Sequence, residues 1–138
     1  MEINGSRNQQ HDIAMGIIYQ CLFLEGLNED YDIVEVISDT CEIPFEDIDI
    51  YVRQVVVSAI AHKNEIKEKI KANLRNWRFE RLSKVEVAIL YLAYSHYVYV
   101  GDVDKKVVIN VAVEQAKKFL DSNDYKFVNA ILENILQW

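Results

Sequence analysis

Histidine and cysteine are the residue types from which metal and nucleophilic sites are most often built, and this chain has few of them. Its histidines, His11, His62 and His96, are far apart in sequence. No HxxxH or HxxE pair places two metal ligands one helical turn apart. Cys21 and Cys41 have no CxxC spacing and lie among apolar residues, which is typical of small buried thiols in a reducing compartment.

The short motifs of common enzymes are also missing from the sequence. None of the four glycines belongs to a phosphate-binding loop, and no GxSxG, Cys/His or paired-Asp signature occurs. His96 falls on an apolar stripe, which favours a partly buried core histidine over a metal ligand. We therefore expect a protein that is not an enzyme and that needs no cofactor or metal.

Charge is the remaining feature that could bind a ligand. The chain carries 15 Lys and Arg against 22 Asp and Glu, and a net charge of -7 on average repels phosphate. No basic residue occurs between Arg7 and Arg53, whereas residues 53–84 are predominantly basic. For Lys63 to Lys71 a solvated helix face with Lys–Glu pairs is the favoured interpretation, and a phosphate-attracting patch is the alternative.

Helices must position these residues, because apolar residues recur with a helical period almost throughout the chain. The predicted helices of the first half are residues 8–25 ending at Gly26, Tyr31 to Thr40 capped by Asp30, Pro44 through Ala59, and a fourth with Ile66, Ile70 and Leu74.

Capping signals define the helices of the second half. A Ser83–Glu86 capping box opens the fifth helix, which should stop at Gly101, and Asp104 and Ser122 can cap the sixth and seventh. By propensity alone, residues 97–113 could instead form a β-hairpin. The helical interpretation is preferred because an isolated hairpin among helices would be poorly stabilised.

The length of 138 residues fits one domain over residues 1–138. Its two halves, about residues 8–76 and 77–138, are expected to form helical subdomains packed on each other. No apolar run approaches the roughly 20 residues needed to cross a bilayer, and the first residues lack the order of a signal peptide. We therefore expect a cytoplasmic protein without a membrane segment.

Two segments carry a resemblance to a known family: INVAVEQAK at residues 109–117 and KFVN at residues 126–129. Their residues and spacing resemble the C-terminal half of the NusB family of bacterial transcription antitermination and ribosomal-RNA transcription factors. The first half is similar more loosely. The matching residues of the second half include Trp77, Arg81, Leu82, Val85, Glu86, Ile89, Leu90, Ala93, Val107, Ile109, Asn110, Ala112, Glu114, Ala116, Lys117, Phe119, Lys126, Phe127, Val128, Asn129 and Leu132.

The resemblance implies an all-α fold of about seven helices in two packed bundles and a role that is not enzymatic. NusB-like proteins pair with the ribosomal protein NusE, and the pair holds single-stranded boxA RNA within the RNA polymerase antitermination complex. Some members are homodimers, so a homodimer is possible here. Single-stranded RNA needs cations for its phosphates and aromatic faces or polar edges for its bases.

The resemblance also assigns site residues. Arg7, Asn123 and Phe127 match positions near the RNA, and Tyr19, Glu80 and Glu86 match positions in the neighbourhood of NusE and RNA. For Phe127 and Tyr19 the alternative is a core aromatic, and Glu86 could merely close its capping box.

This sequence departs from the family in its N-terminal arm, which keeps the single arginine Arg7. Each lost phosphate contact should weaken RNA affinity, so binding by this chain alone should be poor unless the partner supplies charge. One alternative function is therefore a helical protein-interaction or dimerisation module with little RNA binding. Another is the NusB-like domain of an RNA methyltransferase system, whose cofactor domain would have to be a separate polypeptide.

Overall fold

The computed structural model describes residues 5–75, 78–121 and 123–137, and within these ranges it contains seven α-helices and no strand. Residues 97–113 are helical apart from a short connection, so the all-α prediction is confirmed and the hairpin alternative is excluded. The helices are α1 (Arg7–Gly26), α2 (Ile33–Cys41), α3 (Ile50–Ala61), α4 (Lys63–Ala72), α5 (Lys84–Tyr94), α6 (Lys105–Phe119) and α7 (Asp124–Ile135).

Three short elements complete the architecture. A 3₁₀ turn at Phe45–Asp47 precedes α3, and a second at Phe79–Arg81 precedes α5. A π-helical segment, Ser95–Val100, follows α5 directly and packs against α3. The seam between α3 and this segment is fixed by Ser95, whose buried hydroxyl donates a hydrogen bond of 2.8 Å to the carbonyl of Val55 on α3.

The core is one apolar cluster to which both halves of the chain contribute. α1 packs against α3 and α5, and α6 packs against α5 and α7. The predicted subdomain boundary lies at residues 76 and 77, outside the described residues, so the division remains a prediction. Fully buried side chains include Ile17, Ile18, Ile37, Ile66, Ile70, Ile89, Leu90, Leu132 and Leu136.

The start and end of α1 differ from the sequence prediction. The helix begins at Arg7 because Ser6 and Gln9 form a reciprocal capping box. Gly26 was predicted to cap the helix, but it is the last helical residue and Leu27 is the C-cap. The chain turns one residue later, at Asn28, which adopts the left-handed region with φ 58°.

The predicted starts of α2 and α3 were also wrong. The N-cap of α2 is Asp32 rather than Asp30, and its carboxylate accepts a hydrogen bond of 2.9 Å from the backbone N–H of Val34. Pro44 opens only the first 3₁₀ turn. α3 starts after Asp49, whose carboxylate lies 2.8 Å from the N–H of Tyr51.

In the second half, the predicted caps at Ser83 and Asp104 are confirmed. Gly101 ends the helical region at φ 77°, a conformation that favours glycine, although the last turns before it are π-helical. Leu74 lies just beyond the end of α4. The predicted cap Ser122 and the family-matching Trp77 lie outside the described residues.

Candidate binding site

A cavity of about 310 Å³ lies between the first turn of α5 and the first turn of α7. Two of the residues singled out from the sequence, Glu86 and Phe127, meet in it, although they are 41 positions apart. The cavity combines acidic, basic and aromatic side chains, and its lining consists of Arg81, Leu82, Ser83, Glu86, Asp124 and Phe127.

The N-terminal cap of α5 positions Glu86. The hydroxyl of Ser83 accepts a hydrogen bond of 3.1 Å from the backbone N–H of Glu86, which fixes the first turn of the helix. Burial and the nearby carboxylate of Asp124 raise the pKa of Glu86, and a hydrogen bond from the Ser83 backbone opposes them. Two facing carboxylates make this side of the cavity a favourable contact for a cation or a hydrogen-bond donor.

The first turn of α7 supplies the aromatic side. Phe127 is half-buried and packs against the core, so part of its ring is available at the surface. Asn123 is exposed, and it is the residue immediately before α7, where its side chain makes no capping hydrogen bond. A partly exposed aromatic ring and an exposed amide near the start of the same helix are suited to contact with a base or a peptide.

Tyr19 and Glu80 lie on neighbouring surfaces. Tyr19 is half-buried on α1 and stacks on Phe23, with 6.3 Å between the ring centroids. Phe23 itself is 46% exposed, so the pair presents an aromatic surface. Glu80 is exposed on the second 3₁₀ turn and lines a separate groove between α1, α4 and α5.

Arg7 is held by α3 and does not line the cavity. Its guanidinium carbon lies 4.5 Å from the ring centroid of Tyr51, and a guanidinium nitrogen lies 3.7 Å from a carboxylate oxygen of Asp49. The structure thus brings Glu86 and Phe127 together but directs Arg7 to the start of α3. Its positive charge is already partly compensated there.

A ring cluster next to Arg7 joins α1, α3 and the π-helical segment. The Nδ1 atom of buried His11 lies 2.7 Å from the hydroxyl of Tyr51, and the ring centroid of His96 lies 5.0 Å from that of Tyr51. Burial, together with His11 and Arg7, lowers the pKa of His96 to about 4. The half-buried position of His96 agrees with its interpretation as a core histidine.

Sequence reasoning did not assign roles to three residues that shape these surfaces. Arg81 and Asp124 line the cavity, and Asp124 could have been noted as an acidic residue in a first helical turn. Gln115 is buried on α6, and its amide nitrogen donates to the carbonyl of His11 at 3.1 Å and to the carboxylate of Asp12 at 3.2 Å. Its position one turn after Ala112 on the core stripe was the available signal.

Within the described residues, no group of three or more His, Cys, Asp or Glu side chains is arranged to hold a metal ion. None of the helices in these ranges has the length and apolar character needed to cross a membrane. Fold and site together define an all-helical protein whose candidate site is a cleft of charged, polar and aromatic side chains.

The chain belongs to the NusB family, whose model matches residues 8–137. It is 38% identical over 129 residues to the transcription antitermination protein NusB of Ligilactobacillus salivarius, covering 92% of this chain and 97% of that protein. It is 31% identical over 140 residues to its counterpart in Clostridium botulinum, with 95% and 99% covered.

Solved structures agree with this assignment. The fold is similar to that of T. maritima NusB, with a TM-score of 0.80 and 25% identity over 96% of this chain and 92% of the other. It is also similar to a chain in the crystal structure of the antitermination factors NusB and NusE in complex with dsRNA. That comparison gives a TM-score of 0.76 and 25% identity, with 94% of this chain and 95% of the other covered.

Proposed function

We propose that this protein is a transcription antitermination factor that binds a NusE-type ribosomal protein and, with it, boxA-type RNA. The observation that carries the proposal is the similarity in fold to a structure of NusB and NusE with RNA, extending over nearly the whole chain. Membership of the NusB family supports the same role. The protein acts as an adaptor of the RNA polymerase antitermination complex in the cytoplasm, and it catalyses no reaction.

The cavity between α5 and α7 is the centre of this function. Phe127 and Asn123 contact RNA bases, and Glu86 contacts NusE, with Tyr19 and Glu80 on the adjacent partner surface. The carboxylates of Glu86 and Asp124, which line the same cavity, support a contact with a cationic group of the partner. Arg7 contributes less, because it is bound to Asp49 and Tyr51.

The experiment is fluorescence anisotropy with a labelled boxA-type RNA, with and without NusE, at low and moderate salt. We expect weak binding by the chain alone and much tighter binding with NusE, because the protein carries a net charge of -7. RNA that stays free even with NusE present would refute the proposal and favour a protein-interaction or dimerisation module.

Two variants test the site itself. Phe127→Ala should lower RNA affinity several-fold while keeping a cooperative thermal transition, since stacking contacts contribute about 1–3 kcal/mol per base. Phe119→Ala is the matched control, because Phe119 is 45% exposed and does not line the cavity. Loss of the thermal transition in Phe127→Ala would instead assign Phe127 to the core.

A further inference from the structure

The groove between α1, α4 and α5 contains several cationic side chains that have no role in the α5–α7 cavity. It has a volume of about 440 Å³, and Lys63, Lys67 and Lys84 line it. Two carboxylates, Glu25 and Glu80, line it as well. Its function therefore depends on which of these charges are already paired.

Glu25 is fully engaged within the protein. Its carboxylate accepts a hydrogen bond from the hydroxyl of Tyr31 and forms an ion pair of 2.8 Å with Lys63. Neither Lys67 nor Lys84 has a carboxylate within 4.0 Å among the residues that the structure describes. Two ammonium groups therefore face this groove without a charged partner.

Each of these lysines lies close to a neighbouring residue of the groove. The ammonium of Lys67 lies 5.1 Å from the ring centroid of half-buried Phe79. The ammonium of Lys84 lies 3.3 Å from the position that a Cβ atom on Gly26 would occupy. Only glycine at position 26 lets Lys84 lie against the end of α1 without a shift. The groove thus presents two positioned cations and part of an aromatic ring.

Among the residues that the structure describes, cations without a carboxylate within 4.0 Å continue from the groove towards the α5–α7 cavity. Arg78 and Arg81 are exposed on and beside the second 3₁₀ turn, and Arg81 lines the cavity that contains Phe127. Leu82 lines both the cavity and the groove. By contrast, the α6 lysines Lys117 and Lys118 are each paired with a carboxylate. Four described cations without a carboxylate within 4.0 Å, Lys67, Arg78, Arg81 and Lys84, thus lie on or beside the groove and the cavity, and others, among them Arg53, Lys106 and Lys126, lie on α3, α6 and α7.

We propose that this band, made of Lys67, Arg78, Arg81 and Lys84, is a second RNA contact that binds phosphates of the strand leaving the Phe127 cavity. The inference rests on the proposed function. An RNA strand fits this band because a single strand offers closely spaced phosphates to the cations and bases to the ring of Phe79. The band supplies, at another place on the fold, positive charge that the N-terminal arm lacks.

The test compares two double variants in the complex with NusE and boxA-type RNA. Lys67→Gln/Lys84→Gln removes both groove cations and retains much of their side-chain bulk. Lys105→Gln/Lys106→Gln removes the same charge at the start of α6, where Lys105 pairs with Glu133 on the last turns of α7. RNA affinity is measured by anisotropy from 50 to 300 mM salt.

The groove variant should lower the slope of log K against log salt by about 1.4, since each phosphate contact on a single strand contributes about 0.7. Its RNA affinity should fall about 10- to 30-fold at 0.1 M salt by the same relation. The α6 control should keep the wild-type slope. The inference is supported if the slope is lowered in the groove variant and not in the α6 control. A substitution that only disturbed packing, without removing phosphate contacts, would leave the slope unchanged.

Three results would overturn the inference. Equal slopes in wild type and groove variant would mean that no phosphate is bound there, and equal losses in both variants would mean that only net charge matters. Unchanged RNA binding with weakened NusE binding would show that the groove holds an acidic protein segment. Failure of the proposed function is distinguishable, because the wild-type complex itself would then retain no RNA.

Discussion

Replacing His96 is expected to flatten the dependence of stability on pH. His96 lies on the π-helical segment against the rings of His11 and Tyr51, with the Arg7 guanidinium nearby. Burial is the main cause that lowers the pKa of His96, and His11 and Arg7 add to it, while the carboxylate of Asp49 is paired with Arg7. Protonation of His96 in the folded protein is therefore unfavourable.

The direction of the pH dependence follows from the linkage between proton binding and folding. The pKa of His96 is about 4 in the folded protein and near 6.5 in the unfolded chain, so the unfolded chain binds the proton more readily. The stabilisation is complete above pH 6.5 and is lost as the pH falls towards 4. Between pH 7.5 and pH 5, the difference between these two pKa values should lower the unfolding free energy by about 2 kcal/mol. Because His96 is only half-buried and solvent screens its charge, we expect roughly 1 kcal/mol.

The assay is urea denaturation of the wild type and of His96→Gln at pH 7.5 and pH 5. The difference in unfolding free energy between the two pH values should be roughly 1 kcal/mol smaller in the variant. Val98→Ala, a substitution on the same segment, is the control and should lower stability equally at both pH values. Parallel pH profiles for wild type and His96→Gln would refute the reasoning.

Two further predictions concern the backbone and the π-helical seam. Gly16 is helical and has open space where a Cβ would lie, so Gly16→Ala should raise the unfolding free energy by about 0.5–1 kcal/mol. Gly101 has φ 77°, a conformation that favours glycine, so Gly101→Ala should lower the unfolding free energy by about 1 kcal/mol. If chemical denaturation showed that both substitutions change the unfolding free energy in the same direction, this prediction would be contradicted. Ser95→Ala removes the buried hydrogen bond to the carbonyl of Val55 and should cost about 1 kcal/mol, measured by the thermal midpoint. A variant as stable as wild type would show that this bond is not what holds the seam.

The helices could be predicted from the sequence because their signals are local. The hydroxyl of Ser83 and the carboxylate of Asp104 each bond a backbone N–H within three residues, and the φ of Gly101 is a property of one residue. Errors arose where several acidic residues competed for a cap. Asp30 and Asp32 are both suitable by type, and it is Asp32 whose carboxylate accepts the hydrogen bond from the Val34 N–H.

The π-helical segment could not be predicted, and its contacts are with residues far away in the chain. The hydroxyl of Ser95 reaches a carbonyl on α3, 40 positions away, and the rings of His11 and Tyr51 pack against His96. These contacts exist only after α1, α3 and α5 have assembled. The sequence between Ser95 and Val100 carries only helical and β propensities, which do not distinguish α from π hydrogen bonding.

The candidate site shows the same division between local and distant causes. Resemblance pointed to Glu86 and Phe127 one at a time, but only the packing of α7 beside α5 shows that they share a cavity with Asp124. The sequence also did not show which charged residues form ion pairs in the fold. Sequence spacing favoured Lys–Glu pairs along α4, and Lys71 does pair with Glu68 there, but Lys63 pairs with Glu25 on α1.

Arg7 is the single arginine of the N-terminal arm, where this sequence departs from its family, and its contacts affect how positive charge is distributed on the fold. Its guanidinium stacks on Tyr51 and pairs with Asp49, and His11 one helical turn later is buried with a lowered pKa. At neutral pH the lowered pKa of His11 leaves Arg7 as the charged residue of this pair, and its guanidinium, although the side chain is 56% exposed, is partly compensated by Asp49. If RNA binds this protein, its salt dependence must originate at cations that remain unpaired, and on the described surface several of those lie between Lys67 and Lys84. Removing Arg7 should consequently affect the packing of α1 on α3 more than it affects RNA affinity.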